Sequence, residues 1–398
     1  MKVLQIHSRY REYGGEERVV ETDSALLRAA GHEVLTHEVP NPSGGVSAAA
    51  SLAASSWNLR QAGRVRKLIE DWQPDVVHIH NTWFSLSPSV PRAVSQAGLP
   101  LVQTIHNYRP TCVNAKLFRD GQPCYDCLGS RLPWKGVRLG CYRESRVLSA
   151  AVVSFDAVQR LSGTWEVSDL ITVQSERHRE LLERGGLDAP TEVLPWTTRD
   201  PGPRKAAPSA SNEVIFLGRL EPEIKGIERL VRAWNIAHAS GALGNLHLTL
   251  VGTGDLLGTP ALEGDSIRAV GWMDQEALDR LMLSSRALLF PSTWEETFGL
   301  VAIEGFAAGL PVLGSDLGGI RDTVGRIDPD CLVSTDPGDE EAWVRALGML
   351  RDDGWVDRKG ADARMAFEDE FCPEVGLRRL LAAYGRAAAR RAEKMDSL

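Results

Sequence analysis

Pro291-Ser292-Thr293-Trp294-Glu295-Glu296-Thr297-Phe298-Gly299-Leu300-Val301-Ala302-Ile303-Glu304 decides how this chain is read, because it sets two carboxylates, Glu296 and Glu304, on either side of an expected helix start. Upstream, Ala287-Leu288-Leu289-Phe290 is a short apolar run bounded by Arg286 and Pro291, which predicts a buried parallel strand. Downstream, Gly305-Phe306-Ala307-Ala308 continues a small-residue helix that stops at Gly309, and Pro311-Val312-Leu313-Gly314 begins another strand. The segment therefore reads strand, loop, helix, strand.

In an open parallel sheet, ligands sit beyond the carboxyl ends of the strands, where helix N-termini point. The amides of Thr297 to Leu300 are thus expected to meet an anion, since the first turn of a helix carries unpaired N–H groups and partial positive charge. Glu296 falls at the mouth of that turn and Glu304 about two turns further along. Carboxylates accept hydrogen bonds from hydroxyls, so the spacing suits a ligand with phosphate in the middle and a sugar at each end, as in a nucleotide sugar. Taken alone, the two glutamates are equally explained as an acidic helix start complementing the macrodipole.

The totals narrow the field. A chain of 398 residues supports about two domains. With 43% hydrophobic and 25% charged residues it has the composition of an ordinary globular protein. A net charge of -8 argues against a dedicated nucleic-acid binder. No apolar run approaches the ~20 residues that span a bilayer. Met1-Lys2-Val3-Leu4-Gln5-Ile6-His7 turns polar too early for a secretory signal and reads as a first strand, so the expected location is the cytoplasm. There the six cysteines are expected to be thiols or metal ligands rather than disulfides.

Alternation organises both halves. The first runs from a strand at Val3–His7 through a loop holding Gly14-Gly15 to a helix from about Glu16 to Ala30, then to a strand at Glu33-Val34-Leu35. Ser43 to Ser56 is rich in Ser, Ala and Gly and carries the weakest signal. Two further buried strands end in histidine, at His80 and His106. Pro, Gly and Ser gather between Pro195 and Asn212 and mark a linker, after which strand Val214–Leu217, helix Ile227–Ala239 and strand Leu246–Val251 restart the pattern. The expected fold class is α/β, with two doubly wound Rossmann-like domains. The first spans 1–200, with an insertion at about 107–145 and a closing C-terminal helix at 376–398; the second spans 212–375.

Gly218-Arg219-Leu220-Glu221-Pro222-Glu223-Ile224-Lys225-Gly226 follows the first strand of the second half and places Arg219 and Lys225 at a strand's carboxyl end, where a guanidinium fork and a point charge would neutralise a diphosphate. With Val251-Gly252-Thr253-Gly254, the Glu296/Glu304 pair and Gly318-Gly319, these residues resemble the retaining family-4 glycosyltransferases, whose two domains face a cleft in the GT-B fold. The resemblance extends over nearly the whole chain, since Gly14-Gly15 and His106 also match. It implies that Arg219 and Lys225 hold the donor diphosphate and Glu304 the ribose. Glu296, with amides near Phe298, Gly299 and Leu300, would meet the transferred sugar. Gly14 and Gly15 would admit the phosphates closely, and His106 would touch the sugar or the acceptor. Gly252 and Gly254 read as a nucleotide-facing turn without nicotinamide specificity, because Leu257 stands where the third glycine of a dinucleotide fingerprint belongs.

Cys112, Cys124, Cys127 and Cys141 add a feature beyond that pattern. Four cysteines within thirty residues, two of them as C-x2-C, match the ligand count of a structural zinc site. The reaction expected is transfer of a sugar from a nucleoside diphosphate to a hydroxyl of a glycan or lipid-linked acceptor, with anomeric configuration kept and no catalytic metal. The rivals are a nucleotide-sugar isomerase or epimerase on the same fold and a non-catalytic zinc-stabilised binding protein. Arg60, Arg64, Arg66 and Lys67, with Arg386, Arg390 and Arg391, are the basic residues that would serve peripheral membrane contact or simply face solvent.

Overall fold

The structure, a computed structural model, describes residues 1–10, 14–41, 57–83, 85–336, 339 and 341–396. The Ser43–Ser56 stretch lies outside the described residues. The chain divides into two compact units, one of residues 1–117, 125–195 and 377–398, the other of residues 118–124 and 196–376.

In the first unit, β1 (Lys2–Arg9), β2 (Glu33–Pro40), β3 (Val76–Asn81), β4 (Leu101–Thr104), β7 (Leu170–Val173) and β8 (Thr191–Val193) form one parallel sheet in the order β2-β1-β3-β4-β7-β8. The short pair β5 (Phe118–Arg119) and β6 (Gln122–Pro123) is an antiparallel hairpin. Strands covered on both faces read as almost unbroken apolar runs, and both faces are filled here. Val3, Val76, Val102 and Leu170 pack with Leu27 and with Leu380, Ala383 and Tyr384 of the C-terminal helix Pro373–Asp396. Leu4, Ile6, Val77 and Ile79 pack on the other side with Val65, Val90 and Val94.

Four basic residues of that C-terminal helix are bound internally. Arg391 Nε lies 2.9 Å from Asp169 Oδ2, Lys394 Nζ 3.2 Å from Asp169 Oδ1, and Arg386 and Arg390 hold Glu192 at 2.7 and 3.0 Å. Asp169 is fully buried, and its Oδ2 also accepts from the Leu101 amide at 2.9 Å. The helix therefore neutralises a carboxylate that the sheet cannot. On the helix Leu59–Trp72, by contrast, Arg60, Arg64, Arg66 and Lys67 are exposed. Among the described residues no helix is long and apolar enough to cross a membrane.

The second unit holds β9 (Glu213–Leu217), β10 (His247–Val251), β11 (Ile267–Val270), β12 (Ala287–Phe290), β13 (Val312–Ser315) and β14 (Leu332–Val333) in the order β11-β10-β9-β12-β13-β14, again all parallel. The chain moves outward in one direction from β9 to β11 and then restarts at β12 on the other side of β9. That reversal is a topological switch point at the carboxyl ends of β9 and β12, the place where open α/β sheets bind ligands. The helix Ile227–Ala239 lies where its apolar period predicts, burying Leu230, Val231 and Trp234 against the sheet.

Candidate active site

The loops that leave β9 and β12 are locked together by backbone. The Thr293 amide donates to the Ile224 carbonyl at 3.1 Å, Ser292 Oγ lies 3.2 Å from the same carbonyl, and Thr293 Oγ1 donates to the Glu223 carbonyl. Gly226 sits in the left-handed region at φ +64°, and a Cβ there would collide with the Pro291 carbonyl. Glycine meets both demands at no steric cost.

This lock brings Lys225 to Glu296. Nζ lies 2.7 Å from Oε1, which also accepts from Ser292 Oγ at 2.8 Å, and the ammonium stands 5.8 Å from the Trp294 ring centroid. Glu296 is buried at 8% exposure. Its backbone is held from the far side as well, because the Gly319 amide donates to the Glu296 carbonyl at 2.7 Å, and a Cβ on Gly318 would fall 2.6 Å from the Glu296 nitrogen. Gly318-Gly319 thus acts through Glu296. Arg219, two residues past the end of β9, is half exposed and pairs with Glu221 at 3.1 Å.

The helix after β12 begins at Leu300, capped by Gly299 at φ +108°, and runs to Ala307. Thr297 and Phe298 precede it as loop, so the first-turn amides start slightly later than the sequence suggests. Phe298 is buried against Trp196 and Phe371. Glu304 lies on the helix at 5% exposure.

Gly252 and Gly254 have a different explanation. The Leu220 amide donates to the Thr253 carbonyl at 2.8 Å, and a Cβ on either glycine would collide with the carbonyl of Gly218 or Leu220. The space these glycines preserve is filled by the chain itself. Gly14, in the first unit, shows the reverse: φ is −144°, and the nearest described atom to an added Cβ is Glu17 Oε2 at an ordinary 3.5 Å. No neighbour among the described residues demands glycine there. Gly15 opens the following helix, Gly15–Ala29.

Beyond the carboxyl ends of β1, β3 and β4 the first unit gathers buried ionisable side chains. His80 Nδ1 and His106 Nε2 are 3.3 Å apart, with rings stacked at 5.5 Å and 15°. Burial, followed by neighbouring histidines, holds both well below the ordinary imidazole range. Burial alone brings His78 down to about 3, while its nitrogens meet Tyr384 Oη at 2.9 Å and Thr104 Oγ1 at 2.7 Å. Burial pushes Glu16 up to about 8 against a hydrogen bond from Asn107, and Asp156 up to about 7. Neither carboxyl was singled out from the sequence. Glu16 directly follows the Gly-Gly turn, and Asp156 interrupts the apolar run Val152-Val153-Ser154-Phe155; these were the available signals.

The metal ligands expected from the cysteines are not drawn together. Cys112 packs with Ile105, Tyr108 and Leu181, whereas Cys141 packs with Trp83, Val113 and Phe155; none of the four is in a disulfide. Among the described residues, the group of three potential ligands whose donor atoms all lie within 4.8 Å of one another is Asp23, His78 and His80, and the four cysteines form none. Both His78 nitrogens are already engaged, so that trio reads as a hydrogen-bonded layer beneath the C-terminal helix.

Comparison with known proteins matches both units. A glycosyl transferase 4-like domain model covers residues 14–197, and a glycosyl transferases group 1 model covers residues 211–353. Glycogen synthase of Mycobacterium tuberculosis (strain ATCC 25618 / H37Rv) is 27% identical over 93% of this chain and 91% of its own length. Phosphatidyl-myo-inositol mannosyltransferase of Mycolicibacterium smegmatis is 26% identical over 85% of this chain and 82% of its own. Among solved structures, Anabaena HepE in complex with UDP and glucose superposes with a TM-score of 0.62 at 15% identity, covering all of both chains.

Proposed function

Because the chain belongs to the group 1 and 4-like glycosyltransferases of the GT-B fold, we propose that it moves a hexose from a nucleoside diphosphate to a hydroxyl acceptor with retention of anomeric configuration. The observation that carries this reading is the Lys225–Glu296 pair, held by two backbone-locked loops beside the N-terminus of the helix Leu300–Ala307. Lys225 has three N–H donors and spends one on Glu296; the others are available to diphosphate oxygens. The first-turn amides supply further donors. Together with Arg219 they stabilise the negative charge that grows on the leaving diphosphate, a contribution that speeds the chemical step because it is larger in the transition state than before it. Glu296 faces the sugar and Glu304 the ribose. HepE was solved with UDP and glucose, which supports a uridine donor as the first to try.

The test is donor turnover across UDP-, GDP- and TDP-hexoses, followed by NMR of the first-formed product. Retention is expected. An inverted anomer, or no donor cleavage by any of them, would overturn the reading.

A further inference from the structure

The linker that follows Pro195 is fastened along the second unit, and its residues 196–204 reach both ends of one helix. That helix, Leu300–Ala307, has 8 residues. Helices this short are marginal alone, so packing at their ends decides where they lie. At the N-terminal end Phe298 is 2% exposed and stands edge-on to Trp196 at 5.6 Å and 73°, and to Phe371 at 5.9 Å and 65°. At the C-terminal end the last carbonyls have no further turn to bond, and two guanidinium groups take them. Arg364 Nη1 donates to the Ala307 carbonyl at 2.6 Å and Arg204 Nη1 to the Ala308 carbonyl at 3.1 Å.

The linker ties these contacts together. The Thr198 amide donates to the Phe371 carbonyl at 3.1 Å, and Arg364 Nη1 and Nη2 donate to Asp200 Oδ1 and Oδ2 at 2.8 and 2.7 Å. Arg204 also donates to the carbonyls of Met282 at 3.0 Å and Ser285 at 2.6 Å. Phe371 closes a π turn, Phe367–Phe371, a rare geometry that recurs at functional sites. Ordering a linker costs conformational entropy, and these bonds offset it around the helix whose N-terminus lies beside the Lys225–Glu296 pair. Resting on the glycosyltransferase reading, we propose that Trp196, Asp200, Arg204 and Arg364 are positioning residues: the linker is a brace that sets the first-turn amides of this helix against the donor diphosphate. Amides serve a phosphate only at hydrogen-bond distance, and a shift of about 1 Å caused far from the chemistry can cost roughly 10²-fold.

Donor turnover and hydrogen exchange on the full chain test the brace, with UDP, GDP and TDP as probes in exchange. In the wild type, the nucleotide matching the cleaved donor slows exchange at the Thr198 amide roughly threefold or more beyond any slowing in the helix Ala342–Met349, which packs on the other face of the sheet. Trp196→Leu and Asp200→Ala lower kcat per folded chain about tenfold while donor KM stays within about threefold, and Trp196→Phe restores most of the lost kcat. Circular dichroism gives the folded fraction. The Asp200 side chain is 41% exposed, so its variant folds even where Trp196→Leu does not. Equal slowing at the two places, or kcat within about twofold of wild type in the folded variants, overturns the brace. A wild-type chain that cleaves no hexose donor and binds none of the three nucleotides removes the glycosyltransferase reading, and the brace with it.

Discussion

The two units share an architecture and treat the carboxyl ends of their strands in opposite ways. In the second unit the loops are pressed backbone to backbone, and the side chains they present include a cation paired with a carboxylate, Lys225 with Glu296, and a half-exposed Arg219. In the first unit the same region holds buried histidines pushed well below the ordinary imidazole range and two carboxyls, Glu16 and Asp156, pushed up by burial. One surface offers a paired cation and carboxylate, the other histidines and carboxyls whose charge burial suppresses. A doubly wound sheet supplies the location of a site but leaves its electrostatic sign to the loop and strand-end residues.

The contrast can be broken at several points. The largest expected effect is on stability: Arg391→Ala leaves the buried Asp169 with a weaker partner and should cost about 3 kcal/mol, read by urea unfolding. A loss under ~1 kcal/mol would mean that Lys394 compensates and that the C-terminal helix is not held by charge. Next, Lys225→Ala should lower kcat/KM by roughly 10²-fold, with Arg219→Ala following in the same direction. Near-normal turnover in both would show that the second unit is not the anion-binding side.

The pH dependence sharpens the comparison. His78 and His178 have folded values of about 3, below the unfolded ~6.5, so the stability they contribute is present above pH 6.5 and drains away as pH falls through the range between. Glu16, Asp23 and Asp156, raised to about 8, 7 and 7, contribute below the unfolded carboxyl value of ~4 and lose that contribution as pH rises toward 7–8. Each group changes stability by up to about 1.4 kcal/mol per pH unit within its window. Histidines and carboxyls therefore oppose each other in the first unit, and with His80 and His106 added to the histidine side the balance gives a maximum near pH 6.5. In the second unit Cys331 and Arg204, at about 12 and about 10, titrate above that range. Thermal melts from pH 4 to 9 check this; a maximum above pH 8 would break the assignment.

Smaller effects divide the glutamates and the cysteines. Glu304→Ala should raise KM about tenfold with kcat nearly kept, whereas Glu296→Ala should act mainly on kcat. Equal kcat losses would discard that division. Cys124→Ser should shift Tm by no more than ~2 °C, because the four sulfurs form no ligand group among the described residues. A large shift, with about one zinc per chain released on denaturation, would restore the tetrahedral thiolate reading.

What the sequence disclosed follows from the range over which each signal acts. Strand Ala287–Phe290 and helix Ile227–Ala239 are written in local apolar patterns and lie where those patterns place them. The bond between Lys225 and Glu296 joins residues 71 positions apart, and no local pattern announces it. Cysteine spacing supplied a ligand count without the directions of the side chains, and Cys112 and Cys141 turn into different apolar clusters. Asp156 was hidden because one acid in an apolar helix looks like an ordinary surface position until the fold encloses it. Gly252 and Gly254 were read as a nucleotide-facing turn, and the structure adds a packing demand for glycine there from the carbonyls of Gly218 and Leu220.

The placement of the C-terminal helix has a consequence during synthesis. Arg391 and its partner Asp169 are separated by 222 positions, with nearly all of the second unit between them. At about 5–20 residues per second, a ribosome takes on the order of 10 to 45 s to deliver the arginine after the aspartate. Throughout that interval the second unit, almost continuous in the chain, can close on itself, while the first waits with an unmatched carboxylate and an uncovered apolar face at Val3, Val76 and Val102. The unit whose synthesis begins first is therefore the one completed last, and during that wait it is the part of the nascent chain most in need of a chaperone.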